Sequence, residues 1–400
     1  MHVVIELANS YLIIVSFSEL TKQRTKILTR ENLEDLVRGS TVLASGGGGE
    51  PKEAFKLIGR IEKKGFVPSI MDPQSIQDSM TVFSSVDAGG GMSKESEERF
   101  ERTYKMKIPL RRKHWPLEKW SPVAVKELSE YLNKEPDVFL CLELGPRFVE
   151  VIHLAASNGK PTIDGDTIGR AVPEITMSKL QIVNSKLEAV VSTSHFGDVL
   201  ILKKLASLRR LEDIIRNFAV ASGGGVGMAV AMNGAVTKES LLPCTLTRCI
   251  NLGEKVRKSA SDDRELNKLL SCEVNGRVLF RGRITSIESE PREGYYFGQY
   301  FMGGSGDFSG DNFRIWFKNE NHITWKNDKP YVTSPDIITL FDPVSRLGLW
   351  NWEKIPTDHD LLVIGIPCDP MWRTMKGLQL LSPRAFGYSI DYVPLERQHH

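Results

Sequence analysis

Two acidic signals in this 400-residue chain fall where an α/β protein presents acids and bases to a ligand, at the ends of strand-like apolar runs. Glu143 follows directly on the run 138–142. Asp164-Gly165-Asp166 follows directly on 161–163, with Arg170 and Glu174 a turn or two further on. Carboxylates so placed suit general acid or base work, or the holding of a hard divalent cation through oxygens, for which Asp164 and Asp166 are the candidate ligands. The same residues have a structural reading. Asp-Gly-Asp is an ordinary turn, and Asp166 can cap a helix beginning near Thr167.

Three glycine clusters stand beside these acids: Ser45-Gly46-Gly47-Gly48-Gly49-Glu50-Pro51, Gly89-Gly90-Gly91 and Gly223-Gly224-Gly225-Val226-Gly227. Backbone N–H groups of such loops gather around an anion or a developing oxyanion, while glycine equally serves left-handed turns and close packing of strand on helix. None is a nucleotide signature. The first lacks a Gly-Lys-Ser/Thr ending and has Pro51 where a dinucleotide fingerprint has its third glycine, and Met228 spoils the last, so NAD and ATP have no support. No Cys/His set has zinc spacing. His195 with Asp198 has the form of a base and its orienter, against the commoner reading of a satisfied histidine. Cys244 has no adjacent base, which favours a buried thiol over a nucleophile. Asn319, Glu320 and Asn321 break an apolar run with polar side chains, as a site between domains or a turn would. Trp350, Trp352, Met371 and Trp372 read as packing rather than as a substrate platform.

Positioning these residues takes two kinds of structure. Thr29 caps an expected helix with Leu33, Leu36 and Val37 on one face; a strand is expected over 41–44, and a helix over 52–63 with Pro51 at its first position. Further strands at 80–84, 138–142, 161–163 and 189–191 alternate with helices at 124–132 and 149–156, the pattern of a mainly parallel sheet. Beyond about residue 238 short alternating runs take over, at 272–287, 295–301, 313–317 and 322–325. The expected fold class is α/β plus β: an N-terminal three-layer α/β domain over 27–240 and a C-terminal β-barrel-like domain over 241–392, with 1–26 an extension and 393–400 a tail. Two domains also suit a length beyond the ~250–300 residues at which single cores stop growing.

Lys plus Arg (52) nearly balances Asp plus Glu (50), and the short Arg111-Arg112-Lys113-His114 cluster is too small a footprint for a nucleic-acid partner. The apolar start, 3–20, is interrupted by Glu6, Asn9, Ser10 and Glu19. It is too short and polar for a membrane span and reads as a strand or an extension. Five cysteines without a Cys-x-x-Cys pair suit a reducing cytoplasm. The expected partner is a small molecule, and extended β edges also admit a homo-oligomer.

In order and spacing, from about residue 27 to 392, four motifs resemble the S-methyl thiohydantoin desulfurase family. They are Val42-Leu43-Ala44-Ser45-Gly46-Gly47-Gly48-Gly49-Glu50-Pro51; Leu142-Glu143-Leu144-Gly145; Asp164-Gly165-Asp166 with Gly169-Arg170-Ala171 and Pro173-Glu174; and Pro383-Arg384-Ala385-Phe386-Gly387-Tyr388. The resemblance implies an α/β domain followed by a β-barrel-like part, and hydrolytic removal of methanethiol from an S-methylated thiohydantoin. It also implies a runner-up, a hydantoinase- or oxoprolinase-like amide hydrolase or its partner subunit. A small-molecule-binding protein without catalysis is the reading outside enzymes. On the desulfurase reading Asp166 or Asp164 is the base or metal-holding carboxylate and Glu143 its partner. Arg170 neutralises a substrate carboxylate, Gly46, Gly47, Gly48 and Gly49 donate N–H groups, and Asn319 and Glu320 touch the substrate. The chain departs from the family at Glu50, usually Asp, at 87–92, and at Cys244, usually glycine.

Overall fold

A computed structural model describes residues 2–5, 13–16, 24–105, 117–194, 196–259 and 263–398. His195 and the basic cluster at 111–114 lie outside them. Within the apolar start, His2–Ile5 pairs antiparallel with Ile13–Ser16.

Thr29 caps helix α1 (Arg30–Leu43) through a reciprocal box, its hydroxyl accepting from Asn32 N and Asn32 Oδ1 accepting from Thr29 N, both at 3.1 Å. The helix runs on through 41–43, where a strand was expected. Thr41 and Val42 are strand formers by type, yet Val42 and Leu43 extend the buried face begun by Leu33, Leu36 and Val37, and that burial decides. Pro51 opens α2 (Pro51–Lys64), which ends on left-handed Gly65. The remaining long helices are α3 (Lys94–Tyr104), α4 (Leu117–Leu132), α5 (Phe148–Ser157), α6 (Leu208–Ala221), α7 (Thr245–Lys258) and α8 (Asp263–Val274).

The first sheet takes β1 (Thr25–Ile27), β2 (Ser69–Met71), β3 (Thr81–Gly89), β4 (Val138–Leu140), β5 (Thr162–Ile163), β6 (Ala189–Thr193), β7 (Val199–Leu202) and β8 (Gly225–Asn233), in the spatial order β7-β6-β8-β3-β4-β5-β2-β1. It is mixed, not mainly parallel. Three junctions are parallel, β3–β4, β4–β5 and β5–β2. The other four are antiparallel, because a short turn folds β7 back on β6 and β8 runs back along β3 from Gly225↔Gly89 to Asn233↔Thr81. Alternating side chains bury both faces: Phe83, Phe139 and Val191 pack with Leu36, Ile58 and Ile152, while Val82, Leu140 and Val190 pack with Leu211 and Ile215 of α6.

Helices α7 (245–258) and α8 (263–274) stand where short alternating runs were expected, and the first of those runs begins at Arg277, not at about 272. Leu246, Cys249, Ile250 and Val256 give α7 a buried stripe against α1. The crossing is close enough that a Cβ on Gly39 would lie 1.9 Å from the Cys249 carbonyl oxygen, and one on Gly253 would lie 1.8 Å from that of Asp35.

The second sheet is antiparallel throughout: β9 (Arg277–Arg292), β10 (Tyr295–Gly304), β11 (Asn312–Lys318), β12 (Glu320–Lys326), β13 (Lys329–Thr333), β14 (Ile337–Asp342), β15 (Leu347–Gly348) and β16 (Leu361–Ile366), ordered β13-β12-β11-β10-β9-β16-β14-β15. Phe280, Tyr300, Ile315, Phe317, Leu340 and Val363 fill its inside. Among the described residues no ladder closes it into the expected barrel. Where β12 comes near β14, the turn after α1 is inserted. The Ser45 hydroxyl donates toward the carbonyls of Asn321 (3.1 Å) and Ile338 (3.0 Å) and accepts from Ile338 N (3.1 Å), while Asn321 N donates to the Ser45 carbonyl (2.7 Å).

Candidate functional site

The first glycine loop therefore docks on the second sheet before it reaches a site. Gly46 lies against Asn321 and Asn351, and a Cβ on Gly47 would meet Glu320 Oε1 at 2.0 Å. Gly48 and Gly49 come next and border a cleft enclosing ≈ 80 Å³, room for several waters or part of a small molecule. The cleft lies at the carboxyl ends of the parallel strands, the position the strand-end argument anticipates. Asp87 comes from the end of β3, Glu143 and Arg147 from just past β4, and Val172 and Glu174 from beyond β5; α6 adds Glu212 and Arg216, and the second sheet Asn319 and Glu320.

Two guanidiniums hold its charges in place. Arg147 Nη1 lies 2.9 Å from Asp87 Oδ2, with both side chains less than 10% exposed. Burial works against the Arg147 charge, but Asp87, Glu150 and Glu143 outweigh it and keep the group firmly protonated. Arg216 donates to Glu212 Oε1 from Nε (2.9 Å) and Nη2 (2.7 Å), the Tyr295 hydroxyl donates to the same oxygen (2.8 Å), and the guanidinium covers the Tyr295 ring. Beside them, Lys318 Nζ reaches Glu174 Oε1 at 2.5 Å. Burial alone would raise the Glu174 carboxyl, and Lys318 with Arg209 overcomes it and holds the group below its usual range. Tyr295 and Lys318 belong to the second sheet, Glu174 and Glu212 to the first half, so these pairs also join the two.

One wall is aromatic. Trp350 and Trp352 line the cleft, stacked at 5.4 Å, and Trp352 stacks in turn on Tyr296 at 5.3 Å. These two tryptophans thus border the cleft, against the expectation of packing alone. Trp372 is core, its Nε1 donating to the Ile168 carbonyl (2.9 Å), with Met371 packed beside it.

Of the acids singled out in the sequence, Glu143, Glu174 and Glu320 line the cleft, as does Asn319. Glu143 Oε2 accepts from Val172 N at 3.4 Å, and Asn319 Oδ1 accepts from Tyr296 N at 2.9 Å. Asp164, Asp166 and Arg170 lie outside the lining. Asp164 accepts from Thr247 N (3.0 Å) and Thr247 Oγ1 (2.6 Å), closing the first turn of α7. Asp166 is fully buried, and its Oδ2 accepts from Gly169 N (2.8 Å) and Ile168 N (3.3 Å) in an irregular turn; no helix starts at Thr167. Burial pushes its carboxyl up to about 7 against these two donors. Arg170 is equally buried. It donates to the carbonyls of Ala171, Pro335, Asp336 and Asn321, and burial lowers it to about 10.

Three of the four oxygens of Asp164 and Asp166 thus accept from protein donors, and among the described residues no three His, Cys, Asp or Glu side chains gather as a cation site. This pair does not fit a divalent metal as a donor set. The other glycine clusters pack on one another: Gly91 N donates to the Gly224 carbonyl (3.2 Å), and a Cβ on Gly89 would lie 2.3 Å from that oxygen. Cys244 is exposed, not buried; it sits at the start of α7 with φ 63°, the left-handed region that glycine adopts most readily. Its thiol is shifted up by burial and by Asp164, away from nucleophile character.

Asp87, Arg147, Glu212, Arg216 and Tyr295 were not anticipated. Arg147 had a signal, since it lies four residues past Glu143 in the same strand-end loop; Glu212 and Arg216 are an i, i+4 pair on a helix, indistinguishable in sequence from a solvated face.

A mixed sheet with helices on both faces is thus joined to an antiparallel sheet, with a charged, aromatic-walled cleft at the strand ends. The model of the S-Me-THD-like N-terminal domain matches residues 31–204 and that of the S-Me-THD-like C-terminal domain matches residues 206–395, so the chain belongs to the S-Me-THD-like family. The crystal structure of a protein from Chromobacterium violaceum superposes with a TM-score of 0.72 at 19% identity, covering 92% of this chain and 100% of that one, a likeness of fold. No curated protein matches the chain. Among the described residues no helix is long and apolar enough to cross a membrane.

Proposed function

We propose that the protein is a hydrolase releasing methanethiol from an S-methyl thiohydantoin-type small molecule to give a hydantoin. The observation that carries this reading is the meeting, at one cleft, of the glycine loop and Glu143, two of the motifs by which the chain resembles the desulfurases, with an aromatic wall suited to a flat ring. Glu143 takes a proton from water as it attacks the ring carbon bearing the methylthio group. The tetrahedral intermediate collapses with breakage of the C–S bond: the leaving thiolate takes the proton that Glu143 removed from water, the remaining hydroxyl proton passes to the ring nitrogen, and the carbon becomes the hydantoin carbonyl. Arg147 opposes negative charge developing on the ring, and its pairing with Asp87 keeps the guanidinium in one orientation. Trp350 and Trp352 take the ring face, while Asn319 and Glu320 set its edge. In this scheme Asp164, Asp166 and Arg170 position rather than react: the first two order the start of α7 and the turn carrying Ile168, and Arg170 ties that turn to the second sheet.

Glu143→Gln tests the assignment. Methanethiol release, followed with a thiol-reactive dye, falls by about 10²- to 10⁴-fold in a folded variant if Glu143 is the base; undiminished release removes it from that role. Binding without turnover is the second reading, favoured by the engagement of both Arg147 and Arg216 with carboxylates, as in a preformed binding pocket. Ring opening without methanethiol would instead place the chemistry with the hydantoinase-like amide hydrolases.

A further inference from the structure

The first sheet ends on β7, and among the described residues no strand pairs with its outer edge. Val199 and Ile201 are 41% and 39% exposed, while Leu200 and Leu202 turn inward to the core under α6. The backbone phase follows from one bond. Ser194 N donates to the Asp198 carbonyl at 2.9 Å, so 198, 200 and 202 direct their ladder groups toward β6, and Val199 and Ile201 direct theirs outward. An apolar edge with outward-facing N–H and C=O groups is a template for another strand.

We infer that this edge pairs antiparallel with β7 of a second copy of the chain, about a two-fold axis through Ile201. Directly opposed residues of an antiparallel pair share a face, so inward Leu200 must meet an inward residue, and only registers centred on a residue qualify. Centring on Ile201 sets Leu200 against Leu202 of the second copy and lets the two Ile201 residues exchange both backbone bonds. It also sets Asp198, the acid before the strand, against Lys204, the base after it, twice by symmetry. Asp198 is held at the edge by the Ser194 hydroxyl, 2.7 Å from its Oδ2. Centring on Leu200 sets Asp198 against Leu202 and loses this charge match. The two mixed sheets become one continuous sheet across the dimer. The inference is independent of the reaction proposed for the cleft.

Sedimentation velocity on the full chain tests it. The wild type sediments as a dimer, Ile201→Lys as a monomer with unchanged circular dichroism, and Lys204→Asp dimerises at least about fivefold more weakly, since two exposed ion pairs are replaced by two like-charge contacts. Adding Asp198→Lys to Lys204→Asp restores the affinity. Ile201→Cys forms an inter-chain disulfide on mild oxidation and Val199→Cys, which faces Lys203, does not, each read against the exposed Cys244 and Cys272 of the wild type. Should Ile201→Lys fail to fold, the two cysteine variants decide. A monomeric wild type, a dimer that survives Ile201→Lys, or equal cross-linking of both cysteine variants overturns the inference.

Discussion

A carboxyl group with no solvent contact must be neutral or be held by donors, and Asp166 is divided between the two. Its Oδ2 takes two backbone N–H groups, while Oδ1 finds no hydrogen-bond partner among the described residues. With its pKa raised from 3.8 to about 7, the folded state favours the neutral acid. The group's contribution to stability is therefore complete below about pH 4, declines as pH rises from there through 7, and is lost above that. Asp166→Asn keeps the oxygen that accepts the two N–H groups and removes the charge, so its melting temperature is expected to vary less than the wild type's between pH 4 and 8; parallel curves would contradict this account. At this scale the sequence was informative about Glu143 and Glu320 and silent on the difference between Glu143 and Asp166. Both follow strands, but β5 is only two residues long and the chain turns beneath the cleft after it. No residue type records that turn.

Elements were legible where a local rule and burial agreed. The Thr29 cap and Pro51 at the start of α2 are such cases, and so is the alternating strand β11. They were misread where long-range burial overrode local type, as in the last turn of α1, and where a strand's partner lies far along the chain, as with β8. The α1–α7 crossing belongs to the second group. Nothing near Gly253 announces Asp35, yet their backbones meet. Gly253→Ala would drive the helices apart, because the obstacle is a carbonyl and not a flexible side chain. A loss of about 1–3 kcal/mol is expected by urea denaturation, and a neutral substitution would mean that α7 shifts freely on α1.

For the whole molecule, the change of texture along the chain announced two sheets and concealed how they are joined. Ile337, Phe341, Leu362 and Ile364 of the second sheet share one core with Leu36, Val37 and Phe139 of the first half. Ser45 fills the seam between β12 and β14, and Arg170 reaches the Pro335 and Asp336 carbonyls. A shared core unfolds as a unit, so calorimetry is expected to give one transition whose calorimetric and van't Hoff enthalpies agree; two separated transitions would show that the halves are energetically independent. The same joining holds the cleft together, since its acids and aromatic wall come from both sides of the junction.

The account centres on water attack at a ring carbon in that cleft. Turnover of an S-methyl thiohydantoin in ¹⁸O-labelled water, with methanethiol and product mass measured together, tests it most directly. One ¹⁸O in the hydantoin for each methanethiol released, at a rate proportional to enzyme, is the predicted result. Methanethiol without the label, or no methanethiol from folded protein at any concentration, would contradict it.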